Sequence, residues 1–259
     1  MDKTVEAIVN FVNDCSAVER TLKLLQSLSQ IGATFGPPGS HQVLRWTTAG
    51  NQFALGRRYL YFFKWINCWM TAYRLLQGSK KPSSKYSTNG EKTQVQFTPT
   101  GFKTSGNHDN IKSLLGALKF SLLGMFLFLE MFTILNAMSI TDHGWARSLQ
   151  LEAWKLWFYS LIVSVSLGLY ELFRLSSKPP QALKSGSSKD EKSQGIPTTT
   201  ASVTRQRQTL HNALVADISD LIIGACVTGY FLLDPVTAGI AGTISAAIAM
   251  REAWKRVNP

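Results

Sequence analysis

The sequence predicts an all-α, membrane-associated helical bundle, with amphipathic N-terminal helices, one to three transmembrane or membrane-embedded helices, and two long flexible linkers. Three observations predict it. Apolar residues recur at helical spacing, and the N-terminal block has no period-two run bounded by turn residues. Hydrophobic residues form 45% of the 259 positions, gathered in three blocks that polar stretches separate. Lys and Arg outnumber Asp and Glu by 27 to 16, a formal charge of +11, which points to anionic lipid or nucleic acid as a partner. The surplus sits in the N-terminal region and the polar stretches rather than in the long apolar segments, as expected of parts kept on the cytosolic side of a membrane.

The first block, residues 1–77, opens with Val5, Ile8, Val12 and Cys15 at helical spacing, then Leu22, Leu25 and Leu28 on a similar face, and stops at Gly32 and Gly36-Pro37-Pro38-Gly39. A second helix begins near Ser40, with Gly50 or Gly56 as the points where it would break. It leads into GRRYLYFFKWINCWMTAYRLLQ, Gly56 to Gln77. At 100° per residue Arg57, Lys64, Asn67, Thr71 and Arg74 fall in one polar arc of roughly 100°, while aromatic and aliphatic residues fill the rest. The stripe is basic and has no acid. Such a helix suits an anionic bilayer surface, with rings at headgroup level and Arg or Lys reaching for phosphate. The same pattern also fits the most buried helix of a bundle, and the two readings can describe two states of one segment. The membrane-binding set read here is Arg57, Arg58, Phe62, Lys64, Trp65, Trp69 and Arg74.

Residues 78–112 and 177–204 are rich in Lys, Ser, Thr and Gly and read as flexible linkers. Between them, 113–176 holds two apolar segments expected to form a hairpin. Leu114 to Ile140 is interrupted by Lys119 and Glu130, making it a poor span but an acceptable helix. Leu156 to Leu175 has the length a hydrocarbon core needs and opens on Trp154, Trp157 and Tyr159, so it is the best single candidate for a span. A buried helix of a soluble bundle is its rival. In 205–259 an apolar run meets Asp234-Pro235, where a helix must break or kink, and a kinked span or re-entrant hairpin is expected. Beyond it Ala238, Gly242 and Ala246 recur every fourth residue, a spacing that lets helices approach closely in a membrane; these are the self-association candidates.

Chemistry is absent from the sequence pattern. His41, His108, His143 and His211 lack paired metal spacing, and no C-x-x-C, H-E-x-x-H or G-x-S-x-G occurs. No catalytic residue, metal site or cofactor is expected. Cys15, Cys68 and Cys226 read as small buried hydrophobes in a reducing compartment. Nucleic-acid binding would leave the long uncharged runs unexplained, so none is expected.

Ala17-Val18-Glu19-Arg20-Thr21-Leu22-Lys23-Leu24-Leu25-Gln26, Leu55 to Lys64, Ala216-Asp217-Ile218-Ser219-Asp220, Pro235, Gly239 to Ala246 and Trp254-Lys255 together resemble the peroxisomal biogenesis factor 11 family. The family's common Arg-Leu-Gly-Lys order is lost here, where Gly56 precedes Arg57-Arg58. The resemblance implies a self-associating peroxisomal membrane protein with cytosolic termini. Its implied role is to elongate the membrane before scission by fission machinery, including a dynamin-related protein and its adaptor. A metabolite channel lined by Lys119, Glu130 and Glu171 is the alternative from another functional class.

Overall fold

The computed structural model describes residues 3–78, 107–177, 198–232 and 234–258. All regular structure among them is helical: α1 (Lys3–Asn13), α2 (Cys15–Gly32), α3 (His41–Tyr61), α4 (Lys64–Gly78), α5 (Asn107–Phe132), the single turn α6 (Ile134–Ala137), α7 (Gly144–Ser177), α8 (Thr198–Val227) and α9 (Pro235–Val257). The bulk of both expected linkers lies outside the described residues. Their C-terminal ends are helical instead, since α5 and α8 begin at Asn107 and Thr198.

Local chemistry explains the boundaries. Asp14 separates α1 from α2 and accepts the Ser16 N–H at 2.8 Å, an N-cap that satisfies one orphan donor of the new helix. The Asp14 carboxylate also binds Arg256 at the end of α9. Burial raises its pKa, but Arg256 and the Ser16 N–H outweigh that, so the carboxyl sits below its ordinary range. Ser40 caps α3 through Val43, as its position in the sequence predicts. Pro235 starts α9 at a position where its missing N–H is harmless. The chain reverses before it through Gly229, at φ +80°, a conformation that favours glycine.

The expected break at Asp234-Pro235 therefore makes an α8–α9 hairpin, not a kinked rod. The other expected hairpin, 114–138 with 156–175, is formed by α5 and α7. Lys112 meets Glu171 at 2.5 Å, Lys119 meets Ser164 at 2.6 Å, and Thr133 meets Gln150 at 2.7 Å, an antiparallel register. Helices follow one another by contact in the order α3, α2, α9, α8, α7, α5, α4.

Apart from Leu127, Ile134, Leu161 and Leu214, the buried residues of this bundle are small or polar. Ala17, Ala117, Ala153, Ser160, Ser164, Ser219, Ala241, Ser245, Ala246 and Ala253 are buried. Large apolar residues point out: Leu114, Leu118 and Met125 on α5, Ile162, Leu169 and Phe173 on α7, Ile218 and Ile222 on α8, Ile240 and Ile244 on α9. This reverses the arrangement of a water-soluble domain and matches helices packed inside lipid, where small residues face neighbours. Cys68 is buried as expected, whereas Cys15 is exposed and Cys226 only half-buried.

The small-residue stripe of α9 is used inside the chain. Gly242 lies against Ser27 of α2 and Ile223 of α8, Gly239 lies against Ile31, and Ala246 has no exposed surface. Ala238 is half-buried beside them. Gly242 and Ala246 are thus covered by the chain's own helices and offer no open face to a second copy. A Cβ at 242 would collide with the Ser27 side chain. Gly242→Val is expected to lower stability by about 1–3 kcal/mol, as overpacking does, read as a lower thermal midpoint of the detergent-solubilised protein.

Candidate membrane-contact surface

The segment from Gly56 to Gln77 is two helices, not one. α3 runs unbroken through Gly50 and Gly56, and the chain bends at Phe62-Phe63, where the Phe62 N–H donates to Tyr59 O at 3.3 Å and the Ile66 N–H to Phe63 O at 3.2 Å. Packing explains the bend. Gly50 and Gly56 bring α3 against Ser29 and Leu22 of α2, whereas α4 packs on α5. A straight rod cannot follow both partners.

The predicted cations are mostly engaged. Arg57 donates to Glu19 at 3.0 Å and to Gln26 at 2.8 Å, and Arg58 pairs with Glu130 at 3.1 Å. Both were expected to reach for lipid phosphate; instead they bind α2 and α5. The stripe looked free of acid only because its acids arrive from distant parts of the chain. Lys64 is half-buried over the Tyr61 ring, 4.1 Å from the centroid. Burial pushes its ammonium below the usual range, and Glu19 offsets only part of that. Arg74 is exposed.

The aromatic residues divide between two faces. Trp65 and Trp69 turn inward onto Phe128 of α5, with ring centroids 5.3 and 5.5 Å away, and contact each other at 5.0 Å. Gly124 makes the fit possible, since a Cβ there would stand 2.5 Å from the Trp69 ring. The Trp65 indole N–H is buried with no acceptor, an arrangement that costs about 1–3 kcal/mol. Phe62 is half-buried in a small niche with Leu127 and Ile134. The outward face is Phe63, Ile66, Met70 and Tyr73, between 40% and 66% exposed, with Asn67 and Arg74 along its edge. The expected contact residues Phe62, Trp65 and Trp69 are thus replaced at the surface by this stripe, which the helical wheel contains but does not single out.

Three helices are long and apolar enough to cross a membrane: Asn110–Phe132, Gly144–Ser176 and Thr204–Val227. The first qualifies despite Lys119 and Glu130, contrary to its reading as a poor span. A family model described as Peroxisomal biogenesis factor 11 (PEX11) matches residues 94–254. The chain belongs to this family. No curated protein and no solved structure matches it.

PEX11 membership ties the chain to peroxisome biogenesis and to the peroxisomal membrane. It is a family of biogenesis factors rather than a known enzyme family. The match covers all three apolar helices and most of α9. The resembling stretches at 17–26 and 55–64 lie outside it, whereas those at 216–220, Pro235 and 239–246 lie within. The three charges of the alternative channel reading are each paired inside the bundle: Lys119 with Ser164, Glu130 with Arg58, Glu171 with Lys112. Asp217 accepts from Ser164 as well. No cluster of three or more His, Cys, Asp or Glu that could hold a metal occurs among the described residues.

Proposed function

We propose that this chain elongates the peroxisomal membrane and promotes peroxisome fission and proliferation by laying α4 into the cytosolic leaflet and by self-associating. One observation carries the reading: Phe63 at the bend and Ile66, Met70 and Tyr73 of α4 face the outside with Arg74 beside them, while the inner face of α4 holds a Trp65 N–H without an acceptor. A helix inserted into one leaflet expands that leaflet and favours positive curvature. Once α4 leaves α5, Trp65 and Trp69 add to the inserted area, and the Trp65 N–H finds headgroup acceptors at the interface. Lys64 and Arg74 then face anionic phospholipid, each worth about 1 kcal/mol near such a surface. Because Gly242 and Ala246 are covered, self-association would use outward faces such as Ile240 and Ile244 of α9. Cytosolic termini and recruitment of a dynamin-related protein with its adaptor belong to the same reading.

The test is tubulation of anionic vesicles by the full-length protein, seen by electron cryomicroscopy. Phe63→Ser with Tyr73→Ser is expected to remove most tubules. Lys64→Glu with Arg74→Glu is expected to abolish the preference for anionic over neutral vesicles. Undiminished tubulation by both double variants would sink the proposal.

A further inference from the structure

The Leu22, Leu25 and Leu28 face of α2 is the apolar face in the sequence pattern, yet in the fold the helix is turned inside out. Glu19, Lys23, Ser27 and Ser29 are buried, with exposures of 3%, 8%, 5% and 2%, while Leu25 and Leu28 are 38% and 45% exposed. Lys23 holds both carboxylate oxygens of Asp220, at 2.6 and 2.7 Å, and the Ser245 hydroxyl at 2.7 Å. Asp220 belongs to α8 and falls inside Thr204–Val227, one of the helices long and apolar enough to cross a membrane. At 1.5 Å per residue it lies about 10 Å from the Val227 end. A carboxylate at that depth must be paired or hydrogen-bonded, because an isolated charge in hydrocarbon is expensive. The other carboxylate of this span, Asp217, is served by Ser164 of α7, which also receives Lys119 of α5. The cation facing Asp220 comes from α2.

We infer that α2 accompanies α8 into the bilayer, with Lys23 as the intramembrane counter-ion of Asp220 and Leu25 and Leu28 facing the lipid acyl chains. If α2 stayed in water, it would strip Asp220 of its partner and expose the Ser27 contact that the small residues of α9 are shaped to meet. The size of α2 agrees, since its 18 residues span about 27 Å. Its outer face is continuous with a lipid-like surface, for Ile240 and Ile244 of α9 and Ile218 and Ile222 of α8 are 37–48% exposed. α2, which lies outside the family match, thereby becomes part of the embedded body. The inference needs α8 to cross the bilayer and needs nothing of the insertion of α4.

Spin labels decide it. Nitroxides are placed singly at Leu25→Cys, Leu28→Cys and Ile222→Cys in the full-length protein, with Cys15, Cys68 and Cys226 replaced by serine, and the protein is reconstituted in anionic vesicles. All three labels are expected to collide with oxygen several-fold more than with a water-soluble nickel chelate. Labels at 25 and 28 that favour the chelate, or that are shielded from both, overturn the inference; a label at 222 that favours the chelate overturns the span beneath it. A charge-exchange pair gives a second reading that does not depend on labelling. Lys23→Asp is expected to expose α8 to protease, and Lys23→Asp with Asp220→Lys to restore its protection. No exposure in the single variant, or no rescue in the double, contradicts the ion pair.

Discussion

Gly124→Val is expected to release α4 from α5 and to raise tubulation of anionic vesicles above that of the unaltered chain. The reason is steric. Even a Cβ at 124 would stand 2.5 Å from the Trp69 ring and 3.3 Å from the Cys68 Cβ, and the larger side chain cannot be accommodated while both rings stay on Phe128. Overpacking of this kind costs about 1–3 kcal/mol. Applied to a docked–undocked equilibrium, that shifts the population by roughly 5–150-fold. The docked form is already penalised by the unpaired Trp65 N–H, so the released helix gains a hydrogen bond at the headgroup level as well as apolar contact. Co-sedimentation with vesicles and counts of tubules per vesicle measure the effect. Trp69→Ala added to Gly124→Val removes the collision and is expected to bring tubulation back down. A folded Gly124→Val protein that binds and tubulates less than the unaltered chain would show that α4 is not held back by α5.

The helical wheel marked Phe62, Trp65 and Trp69 as the contact residues, whereas the fold packs Trp65 and Trp69 on α5, half-buries Phe62 and exposes other residues of the same apolar arc. Its apolar arc covers more than half of α4, and a wheel cannot say which part of so wide an arc the rest of the chain will claim. That choice depends on Gly124 and Phe128, some sixty residues away, which receive Trp65 and Trp69 and leave Phe63, Ile66, Met70 and Tyr73 outside. The bend at Phe62-Phe63 carries no Gly or Pro signal, because it arises from two packing partners rather than from local backbone preference. Boundaries with local chemistry were legible: the helix start near Ser40, which proves to be its cap, and the break at Asp234-Pro235, where Pro235 opens α9. So was the α5–α7 hairpin, whose apolar runs are long enough to need each other. Which face of α2 is buried was not legible, for a physical reason. Its Glu19, Lys23 and Ser27 look like a solvated face until α3, α8 and α9 are present to bury them. In α9 the small residues at spacing four did mark a close helix contact, yet the partner is α2 of the same chain.

Arg58→Ala is expected to cost about 3–5 kcal/mol, because it leaves Glu130 as an uncompensated charge on α5. The pair is close, at 3.1 Å, and mostly enclosed, with side-chain exposures of 19% for Arg58 and 13% for Glu130. It joins the last turn of α3 to the end of α5, directly beside the bend that aims α4. Loss of the pair is therefore expected to affect direction as well as stability: α4 remains apolar and able to bind vesicles, but its angle to the bundle is no longer fixed. Resistance to unfolding by sodium dodecyl sulfate should fall sharply in Arg58→Ala, and tubulation should fall further than vesicle binding. Arg58→Met with Glu130→Leu separates the two contributions. Replacing a buried ion pair by apolar residues of similar size is often neutral or stabilising, so this double variant is expected to recover stability. If it also recovers tubulation, the bend needs only a filled contact at this point; if tubulation stays low while stability returns, the charged contact between Arg58 and Glu130 sets the angle at which α4 meets the membrane. A single variant as stable as the unaltered chain would mean that Glu130 finds another partner when Arg58 is gone, and that the bend is held by the packing of Phe62 against Leu127 and Ile134 instead.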